Sequence, residues 1–199
     1  MSADVEFIED SHTYLLDGVL VPSVSEIIAW HSGDQYSQVP AHILLKAQVY
    51  GTRVHEAIEK YTKTLEVDDY AEEVGKYAEL EERYNIVIES SEQIITYGDK
   101  YAGRYDMIGT VNGDPALLDI KTTYRINKEH LALQLGLYRM ALQRPLKCFC
   151  VWIPKRAKGK LVEIEPTPEE ELKKIVEAYW QSQSSATRGG ATSAVVPTD

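Results

Sequence analysis

Asp119 and Lys121 stand two residues apart at the end of the apolar run ALLDIKTT, residues 116–123. On a β-strand, residues i and i+2 point to one face, so the two charges project side by side while Leu118 and Ile120 pack on the other. Charges at the end of a buried strand cost desolvation unless something offsets it. The offset is either a plain ion pair or a metal ion with a phosphate. A second acid, Asp106 in GRYDMI, lies on the preceding strand, across a turn at Asn112-Gly113-Asp114. All three side chains can therefore meet at one edge. Two hard carboxylates suit Mg²⁺ or Mn²⁺, which prefer oxygen ligands and keep several waters. Such an ion lowers the pKa of a water and neutralises charge on a phosphate; a lysine beside it can orient the attacking water or stabilise developing charge. A bare D-x-K tripeptide is short, and alone it fits the ion pair better than the metal.

The elements that must position these residues are legible in the chain. HTYLLDGVLVPS alternates and turns at Asp17-Gly18, which predicts a β-hairpin. SVSEIIAW begins a helix with Ser23 or Ser25 as N-cap and Glu26 in its first turn. Residues 31–40 read as a loop, and helices follow over about 41–64 and 70–84, the second with an acidic outer face. IVIESSEQIITY, KYAGRYDMIGTV and ALLDIKTT, separated by Gly98-Asp99 and Asn112-Gly113, form a three-stranded meander. The helix KEHLALQLGLYRMALQR ends before Pro145, LKCFCVWIP and KLVEIEPT bracket the basic turn KRAKGK, and PEEELKKIVEAYWQSQ is a helix with an acidic start. This order predicts an α/β fold, one central mixed β-sheet flanked by helices. One domain over 1–183 is expected, with a small, polar, disordered tail over 184–199.

The totals fit. A chain of 199 residues, 44% hydrophobic and 26% charged, suits one soluble globular domain. No run approaches the roughly 18 apolar residues of a membrane span, and the N-terminus lacks the basic-then-apolar layout of a signal peptide. Cys148 and Cys150 share one predicted strand and cannot build a disulfide framework. A reducing, cytoplasmic compartment is expected. The net charge of −10 argues against nucleic-acid binding driven by bulk charge. It leaves room for a local basic track, because carboxylates gathered around a metal push the total negative.

In context the motifs resemble a known family. GRYD106MI followed by LLD119IK121TT resembles the PD-(D/E)XK nuclease superfamily, with Asp in the (D/E) position. Upstream, GTRVHEAIE, residues 51–59, resembles the helix motif of the RecB-like branch, whose histidine joins the metal site. Downstream, QLGLY, residues 134–138, is similar to that branch's Q-x-x-x-Y motif, and HTYLLDGVLVPSVSEII resembles the opening of phage and mitochondrial exonucleases of this group. The resemblance covers roughly residues 10–155 in the family order. It implies a restriction-endonuclease-like core and a divalent-metal-dependent DNA nuclease, an exonuclease of phage-type replication or recombination before a structure-specific endonuclease. A catalytically silent member that binds DNA or a partner is the reading of another class; presence of the motif acids and the lysine argues against it.

The resemblance implies that His55, Asp106, Asp119 and the backbone carbonyl of Ile120 ligate Mg²⁺ or Mn²⁺, with Asp106, Asp119 and Lys121 catalytic. The spacing agrees. His55 and Glu59 are i and i+4 on one helix face, as are Gln134 and Tyr138. Glu59 reads equally as a carboxylate behind the site and as a solvated helix charge. The amide and phenol can hold a phosphate or DNA end, or simply decorate the helix. Glu92, in SSEQIIT, falls where the family often carries an acid, and an unrelated surface role fits equally. Some RecB-like nucleases hold an iron–sulfur cluster on four cysteines; two cysteines cannot supply four thiolates, and no cluster is expected. DNA is the implied partner, together with a single-strand annealing or replication protein. Lys155, Arg156, Lys158 and Lys160 on one turn, and Arg125, Lys128 and Arg139 around the second helix motif, are the candidate backbone contacts, although a charged, solvated turn is the commoner explanation of such a cluster. The loop at 31–42 and the helix at 70–84 are the candidate covers of the site.

Overall fold

A computed structural model of the chain describes residues 4–8, 13–33, 38–67 and 69–189, with side chains up to residue 185. Its tightest connections lie where the turn residues demand them. Asp17-Gly18 and Asn112-Gly113 have positive φ at both central positions. Their twist matches that of the flanking strands, and each closes a two-residue hairpin. The first joins β2 (Thr13–Leu16) to β3 (Val19–Val21); with β1 (Val5–Ile8) they make a small antiparallel sheet. The second joins β5 (Tyr101–Val111) to β6 (Asp114–Lys121) in a five-stranded sheet. That sheet runs β4 (Ile86–Tyr97), β5, β6, β7 (Lys147–Trp152), β8 (Lys160–Glu163). All neighbours are antiparallel except β6 and β7, which are parallel. A parallel pair needs a crossover, and α4 (Lys128–Leu142) supplies it. The mixed α/β sheet flanked by helices is the restriction-endonuclease-like core expected from the chain.

Helices cover both faces, which is why β6 and β7 read as nearly continuous apolar runs. On one face Leu117, Cys148 and Cys150 pack with Ile27 and Ile28 of α1 (Val24–Ser32), Leu131 and Leu135 of α4, and Leu172 of α5 (Glu169–Gly189). On the other, Ala116, Leu118, Ile120, Phe149 and Val151 meet Val54 and Ile58 of α2 (Ala41–Thr64). Val74, Tyr77 and Leu80 of α3 (Ala71–Arg83) complete that layer.

Helix α1 starts at a capping box. Ser23 Oγ accepts from the Glu26 amide, and Glu26 Oε2 accepts from the Ser23 amide at 2.6 Å. The cap is therefore Ser23, and Ser25 is left on the first turn. Just before it, the Pro22 carbonyl accepts from the Ala102 amide, and Tyr14 and Val21 bury against Ala102. The small sheet is thus fastened to β5 beside the GRYD motif. Helix α5 continues to Gly189, so residues 184–189 of the expected tail are helical. Ser184 and Ser185 donate their hydroxyls to the carbonyls of Trp180 and Gln181, four residues back. That lets small polar residues stay helical. Residues 190–199 of that tail lie outside the described residues.

Candidate active site

The site forms where β5 and β6 part. Their ladder ends at Met107 opposite Leu118, while β6 goes on pairing with β7 as far as Lys121. One step beyond the last pair, Asp106 Oδ2 accepts the backbone N–H of Ile120 at 2.6 Å, in place of a ladder carbonyl. The alternation of faces along β5 breaks here: Tyr105 packs in the α4-side cluster, Met107 in the α2-side cluster. Across from this point Glu92 sits in β4 at φ 53°. A non-glycine residue held there costs on the order of 1 kcal/mol or more, a type of strain that gathers at functional sites. Nearby, β4 carries a bulge between Ile88 and Ser90. Gly109 faces it, and a Cβ there would collide with the Val87 carbonyl. Past the bulge Ser91 pairs with Met107 and Gln93 with Tyr105, which leaves Glu92 opposite Asp106.

His55 reaches the same point from α2. Its neighbours Val54 and Ile58 are fully buried against the sheet, which fixes the roll of the helix. His55 Nε2 lies 3.0 Å from the Ile120 carbonyl, and Nδ1 lies 3.6 Å from Asp106 Oδ2. A carbonyl only accepts, so Nε2 carries a proton, and Nδ1 is the nitrogen that faces the carboxylate. Ligand atoms of His55, Glu92 and Asp106 all lie within 4.8 Å of one another. Three acceptors this close, one nitrogen and two carboxylates, fit a hard divalent cation. An imidazole donating its other N–H to a backbone carbonyl is the usual support of a metal-ligating histidine.

Asp119 lies behind this group, on the α4 face with Lys121, as the i and i+2 spacing predicts. It is 2% exposed, and Lys121 Nζ lies 2.7 Å from its Oδ2. The ammonium covers Oδ2, and Oδ1 has no hydrogen-bond partner among the described residues. Burial raises the Asp119 pKa, and the Lys121 ammonium restrains the rise. For Lys121 burial pulls the other way, but the charges of Asp119 and Asp106 outweigh it, so the amine stays protonated. A buried carboxylate this poorly satisfied is the kind of group a cation completes.

Glu92 is held from its far side. Its carboxylate pairs with Arg104 Nε at 2.8 Å, and the Arg104 guanidinium lies over the Phe7 ring at 5.1 Å. Burial, then the Asp106 charge, push the Glu92 pKa up to about 7, against the pull of Arg104. Arg104 is the residue sequence reasoning missed. The signal was present, since Arg104 and Asp106 repeat on β5 the i and i+2 cation–acid spacing of Lys121 and Asp119 on β6.

Gln134 and Tyr138 sit together on α4, with Gln134 Nε2 3.5 Å from the Tyr138 hydroxyl and Gln134 Oε1 buried without a partner among the described residues. The Tyr138 ring crosses β5 at Gly103, where a Cβ would stand 2.7 Å from Tyr138 Cε1. The glycine of GRYD and the tyrosine of QLGLY are thus one interlocking contact. Glu59 lies beside the acceptor group but outside it, accepting from Lys63 at 2.6 Å and from Ser91 Oγ. The acceptor group opens on a cavity of about 410 Å³ that Glu59, Gln134 and Tyr138 also line. Helix α3 lines neither this cavity nor the one beside Lys121. Contrary to the expectation of a cover, it spends its apolar stripe on α2 and the sheet, and Lys76 donates to the Pro154 carbonyl before the basic turn. The other expected cover, the loop at 31–42, falls partly outside the described residues.

The sequence model of the PD-(D/E)XK nuclease superfamily matches residues 70–198, well over half of the chain. The chain belongs to that superfamily. The matched stretch contains Glu92, Asp106, Asp119, Lys121, Gln134 and Tyr138, while His55 precedes it. No curated protein matches the chain. Among solved structures, one described as the crystal structure of SSO0001 is similar at 17% identity and a TM-score of 0.48. The likeness covers 83% of this chain and 77% of that one. Among the described residues no helix is long and apolar enough to cross a membrane.

Proposed function

We propose that this protein is a divalent-metal-dependent DNA nuclease, an exonuclease of phage-type DNA replication or recombination. One observation carries the reading: His55, Glu92 and Asp106 turn their acceptors toward one point, with the buried, poorly satisfied Asp119 and its Lys121 directly behind. Membership of a nuclease superfamily whose motif supplies these acids supports it.

His55 through Nδ1, Glu92, Asp106 and Asp119 would hold Mg²⁺ or Mn²⁺, while the Ile120 carbonyl, on the other side of the imidazole, takes the Nε2–H and sets the ring's orientation. When bound, such an ion lowers the pKa of a water and neutralises phosphate charge. The remaining work falls to side chains. Lys121 is protonated, so it is a donor and not a base. Its Nζ orients the attacking water or stabilises charge developing on the phosphoryl oxygens. Asp119 holds that ammonium in place. Arg104 fixes the carboxylate of Glu92. The Gln134 Nε2–H and the Tyr138 hydroxyl would donate hydrogen bonds to the sugar or phosphate oxygens of the strand. Water adds to phosphorus as the ester P–O bond breaks, and the departing oxygen leaves with a proton.

The test is digestion of end-labelled linear DNA, single- and double-stranded, beside a covalently closed circle, in Mg²⁺, Mn²⁺ or chelator, with Lys121→Ala as control. Metal-dependent loss of linear DNA that spares the circle, absent in the variant, is the expected result. Cutting of the circle would replace the exonuclease by an endonuclease on the same core. No cutting and no Mn²⁺ binding would overturn the catalytic reading.

A further inference from the structure

Two cavities meet at Ser25 and Gln134, and they differ in charge. The one holding the acceptor group is lined by four carboxylates, Glu56, Glu59, Glu92 and Asp106, against a single arginine. The second, about 750 Å³, lies between α1, α2 and the connection from β6 to α4. Among the described residues its charged and titratable lining is Lys121, Arg125 and His130, with no carboxylate. In a chain of net charge −10, a cavity whose described charges are all basic, beside the candidate metal group, favours an anion.

The segment entering that cavity is braced. Trp152 Nε1 donates to the Thr123 carbonyl at 2.7 Å, and Thr123 Oγ1 donates to the Arg125 carbonyl at 2.8 Å. Between these two residues Tyr124 is 85% exposed. Among the described residues Arg125 makes no ion pair; its guanidinium lies 5.8 Å from the Tyr124 ring centre. Asn127 is occupied in capping α4. The connection therefore holds out an aromatic face and an uncommitted guanidinium on a fixed backbone, next to the amine of Lys121.

We infer that an unpaired nucleotide adjoining the scissile phosphate binds at this second cavity, its phosphate inside and its base outside, on the exposed ring between the lining residues Thr123 and Arg125. Its phosphate lies against Arg125 and Lys121, and its base stacks on Tyr124. The substrate is then a single-stranded DNA end, because a base inside a duplex cannot reach a protein ring without leaving its stack. The inference rests on the nuclease reading for the identity of the scissile bond.

The test is fluorescence anisotropy of the full chain with a short labelled single strand and the matching blunt duplex, in chelator so that nothing is cut. Wild type is expected to prefer the single strand. Tyr124→Ala is expected to weaken single-strand binding at least about fivefold, the lower end of what one aromatic contributes by stacking, and Tyr124→Phe to restore it. Arg125→Ala is expected to lower the salt slope by about 0.7, the loss of one phosphate contact on a single strand. Tighter binding of duplex by wild type, or both alanine variants binding the single strand as wild type does, would overturn the inference. Adding Mn²⁺ to the same samples separates the two readings. Single-strand binding that needs Tyr124 but never leads to cleavage removes the nuclease and leaves the subsite. Cleavage with binding indifferent to both substitutions removes the subsite and leaves the nuclease.

Discussion

The Ile120 amide donates to Asp106 Oδ2 at 2.6 Å, so the carboxylate that faces the candidate metal group also replaces a ladder bond between β5 and β6. Structure and chemistry are joined in one side chain, and two substitutions separate them. Asp106→Ala strands the amide of Ile120, which is 3% exposed, and is expected to destabilise the fold by about 1–3 kcal/mol. Asp106→Asn keeps an acceptor for that amide and is expected to unfold near the wild-type midpoint. Both are expected to lose Mn²⁺ binding. Urea denaturation beside calorimetric Mn²⁺ titration reads the two effects; equal stability of the two variants would show that the amide bond contributes nothing.

Among the described residues Lys121 is the only cation paired with Asp119, which is 2% exposed. Lys121→Met removes the charge and leaves a buried carboxylate alone, a change that typically costs about 3–5 kcal/mol. Because Lys121 keeps part of its surface in water, the expected loss lies at the lower end. Mn²⁺ is expected to recover more stability in Lys121→Met than in wild type, while cleavage stays absent. Thermal melts with and without Mn²⁺ check this, and an identical metal-induced shift in both proteins would contradict it.

Gly103 leaves no room for a methyl group: Tyr138 Cε1 would stand at 2.7 Å and Val24 Cγ2 at 3.0 Å. Gly103→Ala is expected to cost about 1–3 kcal/mol through overpacking. Tyr138→Leu in the same chain removes the ring and is expected to return part of that loss. A double-mutant cycle in urea measures the coupling; strict additivity would mean that ring and glycine do not oppose each other.

Glu92 binds its proton near pH 7 in the folded protein, against an ordinary value of 4.5. Between these values the folded state holds more protons than the unfolded chain, so this group makes stability fall as pH rises through the window. Glu92→Gln is therefore expected to stabilise the metal-free protein near pH 8 by roughly 1–3 kcal/mol. The gain should vanish near pH 4, where both states are protonated. Excess Mn²⁺ reverses the order, because only wild type keeps the carboxylate. Melting curves at both pH values in chelator and in Mn²⁺ test it, and a gain that does not depend on pH would exclude burial of the charge as its cause.

Much of this was legible in the chain because the signals are local. Asp-Gly and Asn-Gly turns set the hairpins, the 3.6-residue period set α2 and α4, and the i and i+2 spacing put Asp119 and Lys121 on one face before any fold was known. The same local logic chose both Ser23 and Ser25 as candidate caps; only the placement of Glu26 across the first turn decided for Ser23. It also extended the disordered tail back to Ser184, because composition does not register hydroxyls bonding to carbonyls four residues earlier.

Glu92 marks the boundary. As a letter in SSEQIIT it read equally as surface charge and as part of a site. Its position was decided by a bulge between Ile88 and Ser90, by a left-handed backbone opposite Asp106, and by Arg104 behind it, itself seated on Phe7. Apart from β1, the sequence by itself determined the elements, their order and the acids and lysine carried on two adjacent strands, since these follow from propensity, period and spacing. Only the tertiary structure decided where β5 lets go of β6 and which side chains from α2 and β4 fill the gap. Those contacts join residues tens of positions apart, and no local pattern encodes the depth or angle at which they meet.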